Sequence, residues 1–309
     1  MDVGIRDGML PDRDGKSFFE GLREIGVAAV EIDVRSDFST PHVRQDDGRP
    51  YSVRDQASSA RLTQRLADEG VRACALLLST DFYGEDADRH VDYAVRGAQA
   101  ARELSAPVVR IDPLHRDPNL GEGEVLVTFV RRLDAVVRRT RDTGVDLGIE
   151  NHGTFANNPR FLDHVFAASR DDPRVGLTLD TGNFYWYGHP LSEVYRLVQR
   201  FAPRAKHTHV KSINYPQELR DERRPVGLDY GKHACPLDEG DLDLKKVVAA
   251  LRAGGYARDL CVENEALGKY STGERIDVLC RDVRALRDAI GEEKKSVAPA
   301  APVAPARET

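Results

Sequence analysis

The sequence predicts an α/β fold of a single domain, a (β/α)8 TIM barrel. Three observations carry this reading. Eight short apolar runs rich in Val, Leu and Ile recur along the chain. Amphipathic stretches of helical period separate them. A glycine followed by Val or Tyr stands just before four of the runs, at Gly26, Gly70, Gly144 and Gly255, the pattern of a helix C-cap feeding a parallel strand. An open doubly wound sheet is the rival architecture. It uses fewer strands and commonly carries a Gly-rich phosphate loop after the first, and "GIRDGML" has no such fingerprint.

The strands are expected at "DVGIR" (2–6), "VAAVEIDV" (27–34), "VRACALLLS" (71–79), "PVVRIDP" (107–113), "VDLGIENH" (145–152), "VGLTLDT" (175–181), "AKHTHVKSI" (205–213) and "DLCVENEA" (259–266). Each is bounded by Gly, Pro or Asp. Two intervening helices are especially clear. In "EVLVTFVRRLDAVVRRTRDTG" a stripe of Val127, Val130, Leu133 and Val137 is expected to face the barrel, with Gly144 closing the helix. In "DLDLKKVVAALRAGGY" the stripe is Leu244, Val247, Val248 and Leu251. The connection from Asn214 to Pro236 is too polar for a core element and follows the seventh strand, so it is expected on the catalytic face, over the mouth. The barrel domain is expected to span 1–291. The Ala/Pro-rich tail 292–309 cannot build a core and is expected to be disordered and dispensable.

Composition narrows the function. The 309 residues are 40% hydrophobic and 31% charged, as in a soluble globular protein, with a formal net charge of -6. That balance argues against a nucleic-acid partner. No apolar run is long enough for a membrane span and no export signal is visible. The four cysteines, Cys74, Cys235, Cys261 and Cys280, form no C-x-x-C pair. Reduced thiols in a cytoplasmic protein fit this pattern. The sequence allows a homo-oligomer and shows no interface.

In a barrel, reactive groups project from the C-terminal ends of the strands. Strands five to eight end at Glu150, Asp180, His209 and Glu263. A lone glutamate at a strand end is ordinarily solvated or salt-bridged; four potential ligands on consecutive strand ends point instead to one site. Side chains alternate along a strand. Glu150 thus shares a face with His152, His209 with His207 and Lys211, and Glu263 with Glu265. The four ligands are expected in one layer, with His152, Lys211 and Glu265 one layer nearer solvent, where substrate rests. Three converging carboxylates repel unless a cation is present. This oxygen-rich set with one imidazole favours one Mn2+, with Mg2+ or Co2+ as alternatives, and leaves about two positions open on an octahedral ion. Adjacent oxygens of a sugar suit them. His207 reads as a packed or hydrogen-bonded core histidine. Glu31 reads as the partner of an arginine such as Arg6 or Arg110. Trp186, in "NFYWYGH" after strand six, reads either as core or as an aromatic wall for a sugar ring.

The segments "GIENHG", "LTLDTGN", "HTHVKS", "PLDEGDLDLKKVVAALRAGGY" and "CVENE", in this order, resemble the xylose isomerase-like superfamily, in particular its sugar phosphate isomerase/epimerase family with the ketose 3-epimerases and inosose dehydratases. The resemblance runs to about residue 290. It implies Glu150, Asp180, His209 and Glu263 as metal ligands, with Glu150 and Glu263 also the acid/base pair. Two positions depart from it. Asn183 stands where ketose 3-epimerases usually have histidine, and Ser212 where many relatives have aspartate.

The expected activity is therefore a divalent-metal-dependent isomerase or epimerase of a sugar or keto-polyol, through an enediolate. A metal-dependent lyase, dehydratase or C-glycoside deglycosidase is the alternative. An abasic-site endonuclease and a non-catalytic sugar-binding protein stand further off. His152, Asn183, Lys211, Trp186 and Glu265 are the residues expected to meet a small carbohydrate. No phosphate-binding loop is evident, which favours a non-phosphorylated one.

Overall fold

The computed structural model describes residues 1–13, 15–115, 119–169 and 172–291. The tail at 292–309 lies outside the described residues. Eight parallel strands close into a barrel: β1 (Val3–Arg6), β2 (Ala29–Val34), β3 (Arg72–Leu78), β4 (Val108–Ile111), β5 (Asp146–Glu150), β6 (Val175–Asp180), β7 (Ala205–Val210) and β8 (Leu260–Val262). Each pairs with its neighbours in chain order, and β8 closes on β1. All eight coincide with the expected apolar runs. Both faces of each strand are covered, so the runs are nearly continuous in Val, Leu and Ile rather than alternating.

The outer ring is α1 (Phe18–Ile25), α2 (Gln56–Asp68), α3 (Ala87–Glu103), α4 (Glu122–Arg139), α5 (Pro159–Ala168), α6 (Leu191–Phe201), α7 (Leu244–Ala253) and α8 (Thr272–Ile290). Their starts are written locally. Ser17 and Ser271 form capping boxes with Glu20 and Glu274, and Asp55 and Asp243 accept from first-turn amides. Gly26, Gly70, Gly144 and Gly255 all take positive φ, as the turn into a following strand requires.

Two expectations need correction. α4 buries Val125, Phe129, Leu133, Val136 and Val137, while Val127 is 69% exposed. The helix is therefore rotated from the expected stripe, because Phe129 is the larger apolar group and takes the inner face. It also ends at Arg139, and Thr140 to Thr143 make a separate turn before Gly144. The seventh run is not one strand: it breaks at Lys211, and Ser212–Ile213 pairs antiparallel with Ala234–Cys235 at the base of the long connection. A second hairpin, Ser39–Arg44 with Pro50–Ser52, follows β2 outside the barrel.

Arg224, a buried cation, anchors the connection 214–236. The Arg224 guanidinium lies 4.3 Å from the Tyr185 ring centroid and 4.4 Å from that of Tyr215. It also donates to the carbonyls of Leu219, Arg220, Glu222, Tyr185 and His189. The segment lies at the C-terminal mouth, where Tyr230 bonds Glu265. No helix among the described residues is long and apolar enough to cross a membrane.

Candidate metal centre

Glu150, Asp180, His209 and Glu263 each bring one ligand atom to within 4.8 Å of the others. All four are buried. They come from the C-terminal ends of β5 to β8, and Asp180 and His209 are register partners. The two glutamates are each followed by an asparagine that fixes the strand end. Asn151 accepts from the Asp180 amide and donates to the Asp180 carbonyl, at 2.8 and 2.9 Å. Asn264 donates to Asp282 at 2.6 Å and accepts from the Ala266 amide at 2.8 Å. Alternation turns these amides away from the mouth, so they hold the backbone under each carboxylate.

The cluster fits a divalent cation on its own geometry. The His209 Nε2–Glu31 Oε2 contact at 2.8 Å orients the ring and turns Nδ1 toward the cluster, where it would face a bound ion. Nδ1 makes no hydrogen bond and lies 3.5 Å from both Glu150 Oε1 and Glu263 Oε2. Asp180 Oδ2 is likewise without a hydrogen bond; the Lys211 ammonium stands 3.0 Å away, out of line. Burial pushes the Asp180 carboxyl up to about 7; Lys211 opposes this, and Glu263 and Glu150 add to it. A divalent cation among these oxygens would favour the ionised form again.

Each glutamate has its own arginine. Arg110 of β4 bonds Glu150 of the adjacent β5, and Arg6 of β1 bonds Glu263 of the adjacent β8. Burial opposes ionisation of Glu150, but Arg110 and His209 outweigh it and hold the carboxyl well below its ordinary value. Glu263 is held down to about 2 against burial by Lys211, His209 and Arg6. Glu31 is not the partner of either arginine, as the sequence suggested. Although it is the register partner of Arg6, its carboxylate faces His207 at 3.2 Å and His209 at 2.8 Å. His207 is accordingly a buried core histidine in contact with a carboxylate.

The upper layer is only partly as expected. His152 is half-exposed and Glu265 likewise. Lys211 is 4% exposed and belongs to the ligand layer, with Nζ 3.3 Å from Glu263 and 3.1 Å from Glu265. Asn183 is also buried. It donates from Nδ2 to Glu150 Oε1 at 3.0 Å, and its amide donates to Asp180 Oδ1 at 2.8 Å, so it orients two of the cluster carboxylates. Trp186 packs against Gly227 of the long connection.

A cavity of about 620 Å³ is lined among others by Asp33, Arg35, Asp81, Asp112 and His152; none of the four cluster residues lines it. Trp186 is not among its lining residues. Asp112, at the end of β4, was not singled out from the sequence. Both its oxygens lie 3.2 Å from His152 Nδ1. The Arg110 guanidinium is 3.3 Å from that nitrogen and also bonds Asp112 at 3.0 Å. Burial disfavours charge on His152, yet Asp112 and Glu150 raise its pKa above the ordinary value.

Arg110 is thus the one cation between two buried carboxylates, Glu150 and Asp112. Removing one partner of a buried ion pair typically costs about 3–5 kcal/mol. Arg110→Met is expected to destabilise the metal-free protein by about that amount, with part of the loss recovered when divalent metal is added beside Glu150. Chemical denaturation with and without metal checks this; an unchanged midpoint would show that the pair contributes nothing.

A closed parallel barrel with a carboxylate–histidine cluster at its C-terminal mouth defines the class: a TIM barrel whose cluster could hold a metal ion. The family model for the xylose isomerase-like TIM barrel matches residues 19–288, and the chain belongs to that family. Similar solved structures include the IolI protein with a bound zinc atom (15% identity, TM-score 0.70, covering 94% of this chain and 99% of that one). An L-ribulose 3-epimerase is similar at 16% identity and TM-score 0.63, over 98% of this chain and all of the other. A xylose isomerase-like TIM barrel protein from Mycobacterium smegmatis in complex with magnesium has 16% identity and TM-score 0.64, over 94% and 97% of the two chains. No curated protein matches the chain in sequence.

Proposed function

We propose that the protein is a divalent-metal-dependent isomerase or epimerase of a non-phosphorylated sugar or keto-polyol, working through an enediolate. The observation that carries this reading is the pair of buried glutamates, Glu150 and Glu263, flanking His209 Nδ1 at 3.5 Å each from separate strands. Glu150, Asp180, His209 and Glu263 would hold the ion, Mn2+ being favoured by the oxygen-rich donors with Mg2+ or Co2+ as alternatives. When bound it supplies Lewis-acid polarisation of a substrate carbonyl.

The rest is done by this chain's own groups. One glutamate takes the proton from the carbon beside the carbonyl, and the other returns a proton to the opposite face or to the neighbouring carbon. Lys211, buried among Asp180, Glu263 and Glu265, adds positive charge where the enediolate oxygens form. Asn183 keeps Glu150 oriented. The cavity presents Asp33, Asp81 and Asp112, acceptors suited to sugar hydroxyls, together with the donors Arg35 and His152. That supports a small, polar substrate such as a carbohydrate.

The His152–Asp112 contact supports a second reading, a lyase. If a leaving group stands beside the carbanion, a protonated His152 can donate to it as water or an aglycone departs. Turnover of candidate keto-sugars in D2O with Mn2+ separates the two. Deuterium gained at carbon without loss of water or aglycone supports isomerisation or epimerisation; such a loss supports the lyase. No exchange and no turnover across ketoses, keto-polyols and inososes would sink both.

Either chemistry gives His152 a pH signature. Its raised pKa keeps the acid form to higher pH than an ordinary histidine. A step needing His152 as acid therefore falls off on a basic limb displaced upward. Asp112→Asn removes the carboxylate and should move that limb down. A limb at the same pH in both proteins would assign it to another group.

A further inference from the structure

We infer that a second metal site lies inside the barrel, one layer beneath the carboxylate cluster, held by Cys74, His207 and Cys261 and suited to zinc. It is independent of the activity proposed above. One donor atom from each of these residues lies within 4.8 Å of the other two. The three residues are 2%, 1% and 0% exposed.

Strand geometry explains why they meet. His207 is two residues below His209 on β7, and Cys261 two below Glu263 on β8, so each points into the barrel one layer deeper than a cluster ligand. Cys74 lies on β3 where the pairing with β2 shifts register: Val30 opposes Ala73 and Glu31 opposes Ala75, leaving Cys74 as the extra residue. Room for the thiols comes from β1. Gly4 is the register partner of Cys261, and a Cβ built on it would stand 3.3 Å from Cys74 Sγ.

The layer is also unsatisfied. His207 Nε2 and Glu31 Oε1 are both buried without a hydrogen bond, although only 3.2 Å apart. Buried polar atoms of this kind ordinarily find a partner. Two thiols and an imidazole form a borderline-soft set that selects zinc, whereas the oxygen-rich cluster above selects harder ions. With Zn–S near 2.3 Å and Zn–N near 2.1 Å, donors on tetrahedral zinc stand roughly 3.3 to 3.8 Å apart, so a modest contraction completes three corners. On binding, each thiol loses its proton to solvent; two thiolates then cancel the charge of the ion, so those three ligands leave no net charge in the interior. The ion would clasp β3 to β7 and β8 across the barrel.

The test uses cobalt, because thiolate ligation gives a near-ultraviolet charge-transfer band that carboxylate and imidazole ligands cannot give. The full chain carrying Cys235→Ser and Cys280→Ser, so that only the two core thiols remain, is produced in cobalt-supplemented minimal medium. The expected result is a strong thiolate band from a cobalt ion held by the two core thiols. Adding Cys74→Ser should abolish or sharply weaken the band and lower the cobalt content by one ion per chain. If that variant does not fold, the spectrum of its parent decides alone. A folded parent with no thiolate band, or a band that survives Cys74→Ser undiminished, overturns the site. Neither result bears on the carboxylate cluster, which contains no sulfur.

Discussion

Glu263→Gln is expected to lower turnover by roughly a hundred- to ten-thousand-fold, the usual value of a general acid/base group, with weakened metal binding on top. The amide has nearly the carboxylate's shape but cannot accept a proton at neutral pH and is a poorer ligand. The fold should survive. Arg6 can still donate to the amide oxygen, and Lys211 keeps Asp180 and Glu265 as partners. One negative charge is also removed from a layer in which Glu263 disfavours the ionised form of Asp180. The informative measurements are metal content, thermal melting and turnover on one preparation. Full metal and full turnover in the variant would show that Glu263 is neither ligand nor base, and the four-residue assignment would go with it. Loss of turnover with metal retained would separate the proton-transfer role from ligation.

The barrel was legible because a parallel sheet covered on both faces must write its strands as apolar runs, and eight of them leave little choice of architecture. The cluster was legible for a related reason. Once strands five to eight are located, their last inward residues are forced together at one mouth. Arg6 and Arg110 were visible as charges inside apolar strands, which demands a buried partner, but were matched to Glu31. The side-chain contacts correct this. β1 lies between β2 and β8, and Arg6, although the register partner of Glu31 on β2, bonds Glu263 on the β8 side. β4 adjoins β5 and not β2, so Arg110 meets Glu150. Asp112 stands at a strand end like the four cluster residues, but its strand bears no neighbouring motif to mark it. The depth of Lys211 could not be read from alternation, which gives a side chain's face but not how far it folds back toward a carboxylate. The hairpin 39–52 is too polar to announce itself, because it packs outside the barrel with only one face against the core.

His152→Ala is the sharpest test of how the mouth handles protons. The imidazole is half-exposed at the edge of the 620 Å³ cavity and takes no part in the four-residue cluster. Its loss should therefore spare metal affinity. Asp112 keeps Arg110 as a partner at 3.0 Å, so the melting temperature should change little. Turnover should fall roughly a hundred- to ten-thousand-fold if the ring moves a proton or bonds the reacting hydroxyl. A structural histidine would behave in the opposite way, with melting lowered and the remaining folded enzyme working normally. The Arg110 guanidinium touches both His152 and Glu150, which supplies a control. If metal is lost along with turnover, the effect has passed through Arg110 to the ligand layer and His152 is a positioning residue. If turnover persists and deuterium is still gained at carbon, the proton inventory closes on Glu150 and Glu263 alone, and the lyase reading loses its general acid.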